Sequence, residues 1–393
     1  MYIQSFTPVE LYRCTTQAER RNSGLDKDEL IEAIEAEIGG SIVNGTYRFQ
    51  IKQYDDLYLN ARDKKTLGYL CQNLVLRKLH KNIKRIYSVK QSDRNAIVKQ
   101  MKLLLSENVK MRIVRLDVRH FYETIDRKQL LTRLIDDARL SYQTISLLQT
   151  LFNDPVVASE TGLPRGLSIS AVLSELYMKY FDLDFKKIEG VYYYARFVDD
   201  IIVFCSNEAS KELAWKYASE GLSKIGLRLN EEKSYWIDPQ LPGSEFTYLG
   251  YTFRKSGKRV GVSIAQKKLN VIKTRLTRAF VRYSKDHDYN LLKLRIKFLT
   301  GNFTLYNPHT LLPIKVGIFF NYKLATDISA LVELDSYYQR ILHCRTGKLG
   351  STIALTKPDM KALEKYSFRF GYRNHVNHHF TTDQMLKIAN CWK

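Results

Sequence analysis

The hydrophobic pattern of the chain is most distinctive between Tyr192 and Phe204, where two runs of aromatic and β-branched residues flank the acids Asp199 and Asp200. Aromatic and β-branched residues favour strands, whereas Asp is favoured in turns. The pattern therefore predicts a β-hairpin with both carboxylates at its tip. Neighbouring carboxylates repel each other, so we expect a cation, such as a divalent metal ion, to compensate them.

Two other Asp-Asp pairs serve as controls for this interpretation. Asp136 and Asp137 lie where apolar residues recur at helical spacing, which predicts an exposed helix face. Asp55 and Asp56 lie between the β-like segments of residues 47–59, but no earlier acid at a strand end could complete a metal site. We expect that pair to form a surface turn.

The apolar spacing also predicts the other main elements. Helices are expected at residues 25–38, 65–84, 93–106, 209–225 and 267–283, and a second hairpin around Gly250. Gly39 and Gly40 are expected to end the first helix. Ser168 or Ser170 is expected to cap a helix that follows the turn at Pro164 and Gly166.

A strand is predicted from Arg112 to Asp117, with a helix from about Arg127. An acid at the carboxyl end of a strand is well placed to bind a metal ion, and Tyr122 would lie beside it. Asp117 alone is weak evidence. The chain between Asp117 and Asp199 is long enough to form helices and then return, so that the two acidic segments could lie side by side.

Composition bounds the class of protein. The 393 residues are 45% hydrophobic and 26% charged, which is typical of a globular chain with two or three domains. The net charge of +21 predicts a polyanionic partner, either nucleic acid or an anionic membrane. Residues 251–393 contain 26 Lys and Arg against 8 Asp and Glu, whereas residues 1–250 contain 36 against 33. Nearly all the excess positive charge therefore lies in the last third.

The cysteines and the hydropathy pattern bear on location. Five cysteines at irregular spacing favour a reducing compartment and no zinc module. The N-terminus lacks a basic stretch followed by an apolar run, and no long apolar stretch could span a membrane. We expect a cytoplasmic protein without a signal peptide or membrane anchor.

Five segments, in this order and spacing, resemble the palm of reverse transcriptases. The matching residues are Leu116-Asp117 with Phe121-Tyr122, Leu163 to Gly166 with Ser170, Phe197 to Asp200, Leu229-Asn230 with Lys233, and Tyr248 to Tyr251. Each motif is weak alone, but the ordered set is specific. The chain looks most similar to the bacterial retron, group II intron and defence-associated types, above all to the antiphage enzymes that use their own non-coding RNA.

The resemblance implies an α+β right-hand polymerase fold with an antiparallel palm sheet. Fingers would occupy residues 1–110, the palm residues 111–255, and a basic, helical thumb residues 256–393. The implied reaction is RNA-directed DNA synthesis from dNTPs by two-metal nucleotidyl transfer. Asp117, Asp199 and Asp200 would hold two Mg²⁺ ions, with Mn²⁺ as the alternative, because hard oxygen ligands suit both.

The resemblance also assigns the substrate contacts. Val118 would add its backbone carbonyl to the metal site, and Tyr122 would be the steric gate that favours deoxynucleotides. Lys233 would neutralise or protonate the pyrophosphate, and Arg165 and Gly166 would contact the substrate or template. Two positions depart from the family pattern. Arg165 stands where Gln is usual, which puts template handling in doubt, and Phe197 stands where Tyr is common.

The C-terminal third supplies a candidate nucleic-acid surface. Leu269, Ile272, Leu276 and Phe280 fall on one face of the predicted helix at 267–283. A second face carries bases that could contact a phosphate backbone, namely Lys268, Arg275, Arg278 and Arg282.

Several alternatives stay open at this point. The chain could polymerise DNA without a conventional template, as a terminal transferase or a protein-primed enzyme, or it could be an RNA-binding scaffold that keeps a polymerase fold. RNA synthesis is disfavoured by Tyr122. The partners expected are an RNA template, a DNA product and dNTPs. The sequence leaves open a second polymerase subunit or a homo-oligomer.

Overall fold

The computed structural model describes residues 2–107, 109–306 and 313–392. The chain packs as two units, which are described separately. The first contains the N-terminal residues to Arg94 and the segment Lys110–Asp238, and the second contains Asn95–Val109 and the described residues from Pro239 onward.

The first unit is built from helices around one sheet and a separate hairpin. Its elements are α1 (Pro8–Tyr12), α2 (Gln17–Ser23), α3 (Lys27–Ile34), α4 (Gly40–Val43), β1 (Ile51–Tyr54), β2 (Leu57–Asn60), α5 (Leu67–Ile86), β3 (Arg112–Asp117), α7 (Phe121–Thr124), α8 (Arg127–Asp136), α9 (Tyr142–Phe152), α10 (Pro155–Ala158), α11 (Ser168–Phe185), β4 (Val191–Phe197), β5 (Asp200–Cys205), α12 (Glu208–Lys224) and β6 (Tyr235–Ile237). Helix α6 (Arg94–Ser106) lies almost wholly in the second unit.

The central sheet of the first unit has the order β4-β5-β3-β6, and every neighbouring pair is antiparallel. Residues alternate between its two faces. One face places Val114, Leu116, Ile201 and Val203 in the main hydrophobic core, together with residues of α5, α9 and α11. The core anchors this face, so the opposite face of β3 and β5 is the one that carries the acids.

The hairpin of β1 and β2 confirms the prediction of a strand pair at residues 47–59. Asp55 and Asp56 form its turn, and Asp55 adopts a left-handed conformation with φ 49°. Asp136 is the last residue of α8 and is exposed. Asp55 and Asp56 therefore form the predicted turn and Asp136 is exposed as predicted, whereas Asp137 is the C-cap residue of α8 and is half-buried.

Two local predictions were wrong. Gly39 and Gly40 do not end the first helix, since both have right-handed helical dihedrals and the chain continues through a π-helical turn, Glu35–Gly39, into α4. Burial of Ile38 and Ile42 holds this segment against the core. Neither serine caps α11, because Leu167 is its N-cap residue and the Ser170 hydroxyl instead donates to the Pro164 carbonyl at 2.6 Å.

The second unit has its own core. Its further elements are β7 (Glu245–Tyr248), β8 (Tyr251–Ser256), β9 (Arg259–Ile264), α13 (Gln266–Asp286), α14 (Tyr289–Thr300), β10 (Asn302–Tyr306), β11 (Pro313–Gly317), α15 (Ile318–Tyr322), α16 (Ser329–Leu342), α17 (Gly347–Gly350), α18 (Lys357–Glu364), α19 (Phe368–Arg373), β12 (Asn377–His378) and α20 (Thr382–Ala389).

The strands of the second unit form two small sheets. Strands β7, β8 and β9 form an antiparallel sheet, which confirms the hairpin around Gly250. Strand β10 pairs with β11 and with the two-residue strand β12, so this region is less purely helical than the sequence indicated. The whole described chain is a mixed α+β fold with antiparallel sheets. None of its described helices is both long and apolar enough to cross a bilayer.

Candidate active site

The tip of the β4-β5 hairpin presents the paired acids, as the pattern predicted. Phe197 pairs with Asp200, which leaves Val198 and Asp199 as the two-residue turn. Val198 has φ 62°, in the left-handed region. This conformation is strained for a β-branched side chain and persists only where surrounding contacts hold it.

Two hydrogen bonds hold this turn. The backbone N–H of Val118, which follows β3, donates to the Asp199 carbonyl at 3.2 Å. From within β4, the Arg196 guanidinium donates to the Val198 carbonyl at 2.9 Å. The tip is thus fixed from the neighbouring strand and from its own hairpin.

Arg196 is itself held by two carboxylates of α11. Its guanidinium pairs with Glu175 and with Asp182 at 2.7 Å each, and only 3% of its side chain is exposed. These acids are seven residues apart, so they lie on one helix face. Sequence reasoning missed this cluster. A single Arg inside an otherwise uncharged strand, with matching acids on a preceding helix, was the available signal.

Asp117 lies beside the tip because β3 and β5 are paired in register. Asp117 is directly opposite Asp200, and directly opposed residues of an antiparallel pair project to the same face. The Asn230 amide donates to Asp117 Oδ2 at 3.0 Å, and the Asp117 backbone N–H donates to Ser234 Oγ at 3.1 Å. Both contacts come from the segment that precedes β6: Asn230 orients the Asp117 carboxylate, and Ser234 holds the Asp117 backbone.

The charges around Asp199 crowd one another. Burial raises the pKa of Asp199, and the negative charges of Asp200 and Asp117 raise that pKa further. Its own backbone N–H and the Lys233 ammonium act in the opposite direction. Lys233 Nζ lies 3.6 Å from Asp117 Oδ2, but its side chain is 62% exposed. Lys233 is therefore a solvent-screened cation beside Asp117 and Asp199.

Asp200 differs from the other two acids because it has a partner of its own. Its Oδ1 lies 3.1 Å from an Arg115 guanidinium nitrogen, and that guanidinium also donates to the Tyr235 hydroxyl at 3.4 Å. Sequence reasoning did not identify Arg115, which is two residues before Asp117 and so on the same sheet face.

The donor set fits a hard divalent cation, since the crowded ligand atoms at the tip are anionic oxygens. Across residues 2–107, 109–306 and 313–392, no group of three or more His, Cys, Asp or Glu forms an arrangement that could hold a metal ion. The assignment of Asp117, Asp199 and Asp200 as metal ligands therefore stays a prediction.

A cleft of about 860 Å³ opens beside these acids. It brings together the predicted residues Asp117, Val118, Asp199, Arg165 and Lys233. It is also lined by residues to which the sequence gave no role: Arg119, His120, Phe121, Ser219, Ser223, Leu227, Arg228, Leu229, Asn230, Glu231 and Glu232. Cationic side chains in the same cleft as the acids give it the mixed charge that a metal-bound polyphosphate requires.

Tyr122 and Arg165 are also brought together. The Arg165 guanidinium lies 5.5 Å from the Tyr122 ring centroid and pairs with Glu123 at 2.7 Å. The Leu163 backbone N–H donates to the Tyr122 carbonyl at 2.7 Å, which fixes the turn of the second motif against α7. The steric-gate role of Tyr122 stays a prediction.

Gly166 is needed for a contact within the protein. It has φ +95°, and a Cβ at this position would lie 2.8 Å from the Tyr58 carbonyl oxygen. The Tyr58 N–H donates to the Arg165 carbonyl at 2.6 Å. The close approach that this glycine permits is therefore that of strand β2, and its proposed contact with a substrate stays a prediction.

The predicted basic face of α13 is exposed, but most of it already has partners in the chain. Arg278 donates to the Trp392 carbonyl at 3.0 Å, and the Arg275 guanidinium lies 5.5 Å from the centroid of the Trp392 ring. Arg282 pairs with Asp286 at 3.1 Å. Lys268 has no acidic partner among the described residues. The opposite face of α13 packs into the core as predicted.

Comparison of the sequence with family models identifies the family of this chain. The sequence model described as reverse transcriptase (RNA-dependent DNA polymerase) matches residues 51–253, a little over half of the chain. The match spans all three acids, the Gly166 turn and Lys233. A comparison with curated proteins gave no match.

Among solved structures, the chain is similar to two yeast telomerases. The Candida albicans telomerase in complex with a TWJ fragment of telomeric RNA is 11% identical, with 92% of this chain and 63% of that chain covered and a TM-score of 0.42. The apo telomerase of Candida tropicalis truncated from its C-terminal domain is 14% identical, with 54% of each chain covered and a TM-score of 0.39. This chain thus spans less than two thirds of the length of each.

The family match and the site agree in position. The strand that ends at Asp117, the turn that carries Asp199 and the segment that orients Asp117 all lie inside the matched residues. The chain belongs to the reverse transcriptase (RNA-dependent DNA polymerase) family.

Proposed function

We propose that this protein is an RNA-directed DNA polymerase that joins dNTPs to a 3′-end or other priming hydroxyl. The observation that carries the proposal is that Asp117, at the end of β3, and Asp199, in the β4-β5 turn, line one cleft together with Lys233 and Arg165. Family membership supplies the reaction type, and the cleft supplies the room and the charge.

Asp117 and Asp199, with the Val118 carbonyl and Asp200, would hold two Mg²⁺ ions, or Mn²⁺ in their place. When bound, such ions stabilise the attacking oxygen and the leaving pyrophosphate. Other groups of the protein position these acids. Asn230 and Ser234 orient Asp117, and the hydrogen bonds to the Val198 and Asp199 carbonyls hold Asp199 at the tip.

The remaining assignments concern substrates. Lys233 is close enough to the acids to neutralise or protonate the pyrophosphate. Its side chain is exposed, so it could move with the pyrophosphate as this group leaves. Tyr122 would exclude a ribose 2′-hydroxyl, with Arg165 stacked against it to limit its movement. Arg165, Gly166 and the β1-β2 hairpin would then face the template and the incoming nucleotide.

The setting that we propose is a dedicated non-coding RNA template in antiphage defence, in a bacterial enzyme of the retron and group II intron type. Fingers, palm and thumb would correspond to residues 1–110, 111–255 and 256–393. The net charge of +21 supports a nucleic-acid partner. The absence of disulfide bonds among the described cysteines is consistent with a cytoplasmic location.

The proposal is tested by purifying the chain with its bound nucleic acid, sequencing that RNA, and supplying labelled dNTPs or NTPs with Mg²⁺. The double variant Asp199→Ala, Asp200→Ala is the inactive comparison, and Asp136→Ala, on an exposed helix face, is the matched control. We expect DNA from dNTPs alone, complementary to the bound RNA, in the wild type and in Asp136→Ala only.

Other outcomes would identify the alternatives. DNA unrelated to any bound RNA would indicate untemplated or protein-primed synthesis, and RNA made from NTPs would overturn the steric-gate assignment. No product from either nucleotide pool would leave the RNA-binding scaffold as the remaining class.

A further inference from the structure

A second concave surface lies in the first unit, and it shares no lining residue with the catalytic cleft. It is a cavity of about 640 Å³ between the N-terminal segment and the C-terminal half of α5. We call it the basic cleft. Its lining residues are Tyr2, Glu10, Arg13, Cys14, Lys78, Lys81, Lys84, Arg85, Ser88, Val89 and Lys90.

The single acid of the basic cleft is already neutralised. Glu10 Oε2 accepts from Lys78 Nζ at 2.9 Å, and its other oxygen pairs with Arg13. The Lys78 side chain is only 2% exposed, and its ammonium also donates to the Ile3 carbonyl at 2.6 Å. This buried pair joins the N-terminal segment to α5 and builds one wall of the cleft.

The other bases of the cleft have no acidic partner. Lys84, Arg85 and Lys90 are exposed, and no described carboxylate lies within ion-pair distance of them. Lys81 donates only to neutral atoms, the Arg13 carbonyl at 3.2 Å and Cys14 Sγ at 3.4 Å. Elsewhere on α5, Arg77 is paired with Glu19 at 2.7 Å. Uncompensated charge thus collects at the concave part of the surface.

The helix dipole explains only part of this cluster. Cations in the last turn of a helix are favourable, which accounts for Lys84 and Arg85 at the end of α5. Lys90 lies beyond the helix and Arg13 lies on another segment, so the dipole does not account for either. A concave surface lined with charge of one sign concentrates its field and attracts anions.

An aromatic side chain completes the wall. The Tyr2 hydroxyl donates to Asn82 Oδ1 at 2.9 Å, which fixes the ring, and the Arg85 guanidinium lies 5.7 Å from its centroid. A fixed ring beside exposed cationic side chains is the combination used to bind single strands, where phosphates contact the cations and nucleobases stack on the aromatic ring.

We infer that the basic cleft binds the phosphodiester backbone of single-stranded RNA, at a site separate from the catalytic acids. This inference rests on the proposed function, which supplies the RNA. Lysine and arginine contacts of this kind recognise phosphates and not bases, so the site would hold and orient an RNA without selecting its sequence.

The test uses the triple variant Lys84→Gln, Arg85→Gln, Lys90→Gln in the full chain, with labelled single-stranded oligouridylate as the probe. We expect RNA affinity to fall by roughly tenfold or more, and the slope of log affinity against log salt to decrease by about 2, since each lost phosphate contact removes about 0.7. The control is Lys27→Gln, Lys128→Gln, Lys186→Gln, which removes three exposed charges of the same unit outside the cleft.

Extension of a short primer–template separates this inference from the proposed function. If the wild type makes no DNA, the proposed function fails whatever the binding result. If the triple variant extends normally but binds oligouridylate weakly, the inference is supported. Binding of oligouridylate equal to that of the control variant would overturn the inference. A raised KM for dNTPs in that case would indicate that the cleft is a triphosphate site. Circular dichroism confirms that both variants fold.

Discussion

Arg196 determines the backbone of the hairpin tip, because it supports the strained Val198 carbonyl while both of its carboxylate partners are largely buried. Removing one side of a buried ion pair leaves uncompensated charge. We expect Arg196→Met to lower the free energy of unfolding by about 3–5 kcal/mol. Denaturation in urea measures this loss.

An exposed ion pair offers the matched control. Arg254 pairs with Glu245 at 2.6 Å, but 67% of its side chain is exposed. Exposed pairs contribute at most about 1 kcal/mol, so Arg254→Met should have a small effect. Equal effects of the two substitutions would show that the Arg196 cluster does not stabilise the fold. A lower kcat in Arg196→Lys, measured where that variant is fully folded, would indicate a positioning role as well.

Asp199 gives a pH-dependent prediction in the metal-free protein. Burial and the neighbouring acids raise its pKa in the folded chain above the unfolded value. The stability that comes from its protonated form is therefore fully present below the unfolded pKa and is lost as pH rises through the folded pKa. At neutral pH the ionised Asp199 destabilises the metal-free fold.

We therefore expect Asp199→Asn to raise the Tm of the metal-free protein at neutral pH, and the difference from wild type to shrink in acid. Mg²⁺ should raise the Tm of the wild type more than that of the variant, because a ligand stabilises only the state that binds it. Thermal unfolding with EDTA or Mg²⁺ measures both effects. A variant less stable than the wild type in EDTA at pH 7 would contradict the crowding of the acids.

At the scale of elements, a substitution at Gly166 tests how closely the turn of Leu163 to Gly166 packs against strand β2. Alanine there would be strained by φ +95° and would also clash with the Tyr58 backbone. We expect Gly166→Ala to cost more than Gly45→Ala, which has φ +69° but nothing within 4 Å of its Cβ position. The control should lose about 1–2 kcal/mol through its left-handed conformation alone. Urea midpoints compare the two, and similar losses would mean that β2 moves aside freely.

Helix α13 tests the predicted nucleic-acid surface. Lys268 lacks an acidic partner among the described residues, whereas Arg282 is paired with Asp286. A base that must first leave an ion pair gains less from a phosphate. We expect Lys268→Gln to weaken RNA binding by a few-fold and Arg282→Gln to weaken it less, as measured by anisotropy with a labelled RNA. The reverse order would show that Asp286 does not compete with the RNA.

Much of the element order could be predicted from periodicity. The hairpin at Asp199, the strand ending at Asp117 and helix α13 all follow from local alternation or helical spacing. The errors arose where tertiary contacts override local preference. Gly39 and Gly40 usually end helices, but here buried neighbours keep the chain helical, and Ser170 satisfies a turn carbonyl instead of capping α11.

The positions of the acids at a strand end and a hairpin turn could be predicted, but most of the residues that contact them could not. Acids at strand ends and turns stand out in a sequence, whereas the roles of Arg115 and Arg196 become visible only once β3, β4 and β5 are adjacent. Partners distant in sequence leave no periodic signal. The same reason applies to the pairing of β10 with β12, in which Asn302 lies opposite Asn377.

At the scale of the whole molecule, the positive charge predicts a steep dependence of RNA binding on salt. The excess lies mainly in residues 251–393 and recurs locally in the basic cleft. A protein with many phosphate contacts loses about 10³-fold or more in affinity between about 50 and 200 mM salt. We expect a loss of this order in a salt titration of the intact chain. A shallow dependence would indicate recognition by uncharged contacts.

The register of β3 against β5 also governs when the catalytic centre can arise during folding. Asp117 and Asp200 are opposed only after the chain has enclosed α7 to α11 and β4 between them. Contacts this distant in sequence form late and slowly, because closure of a long loop must precede the gain from pairing. A nascent chain therefore contains Asp117 well before Asp200 has been synthesised, and the proposed catalytic centre should form in one step, when the central sheet closes.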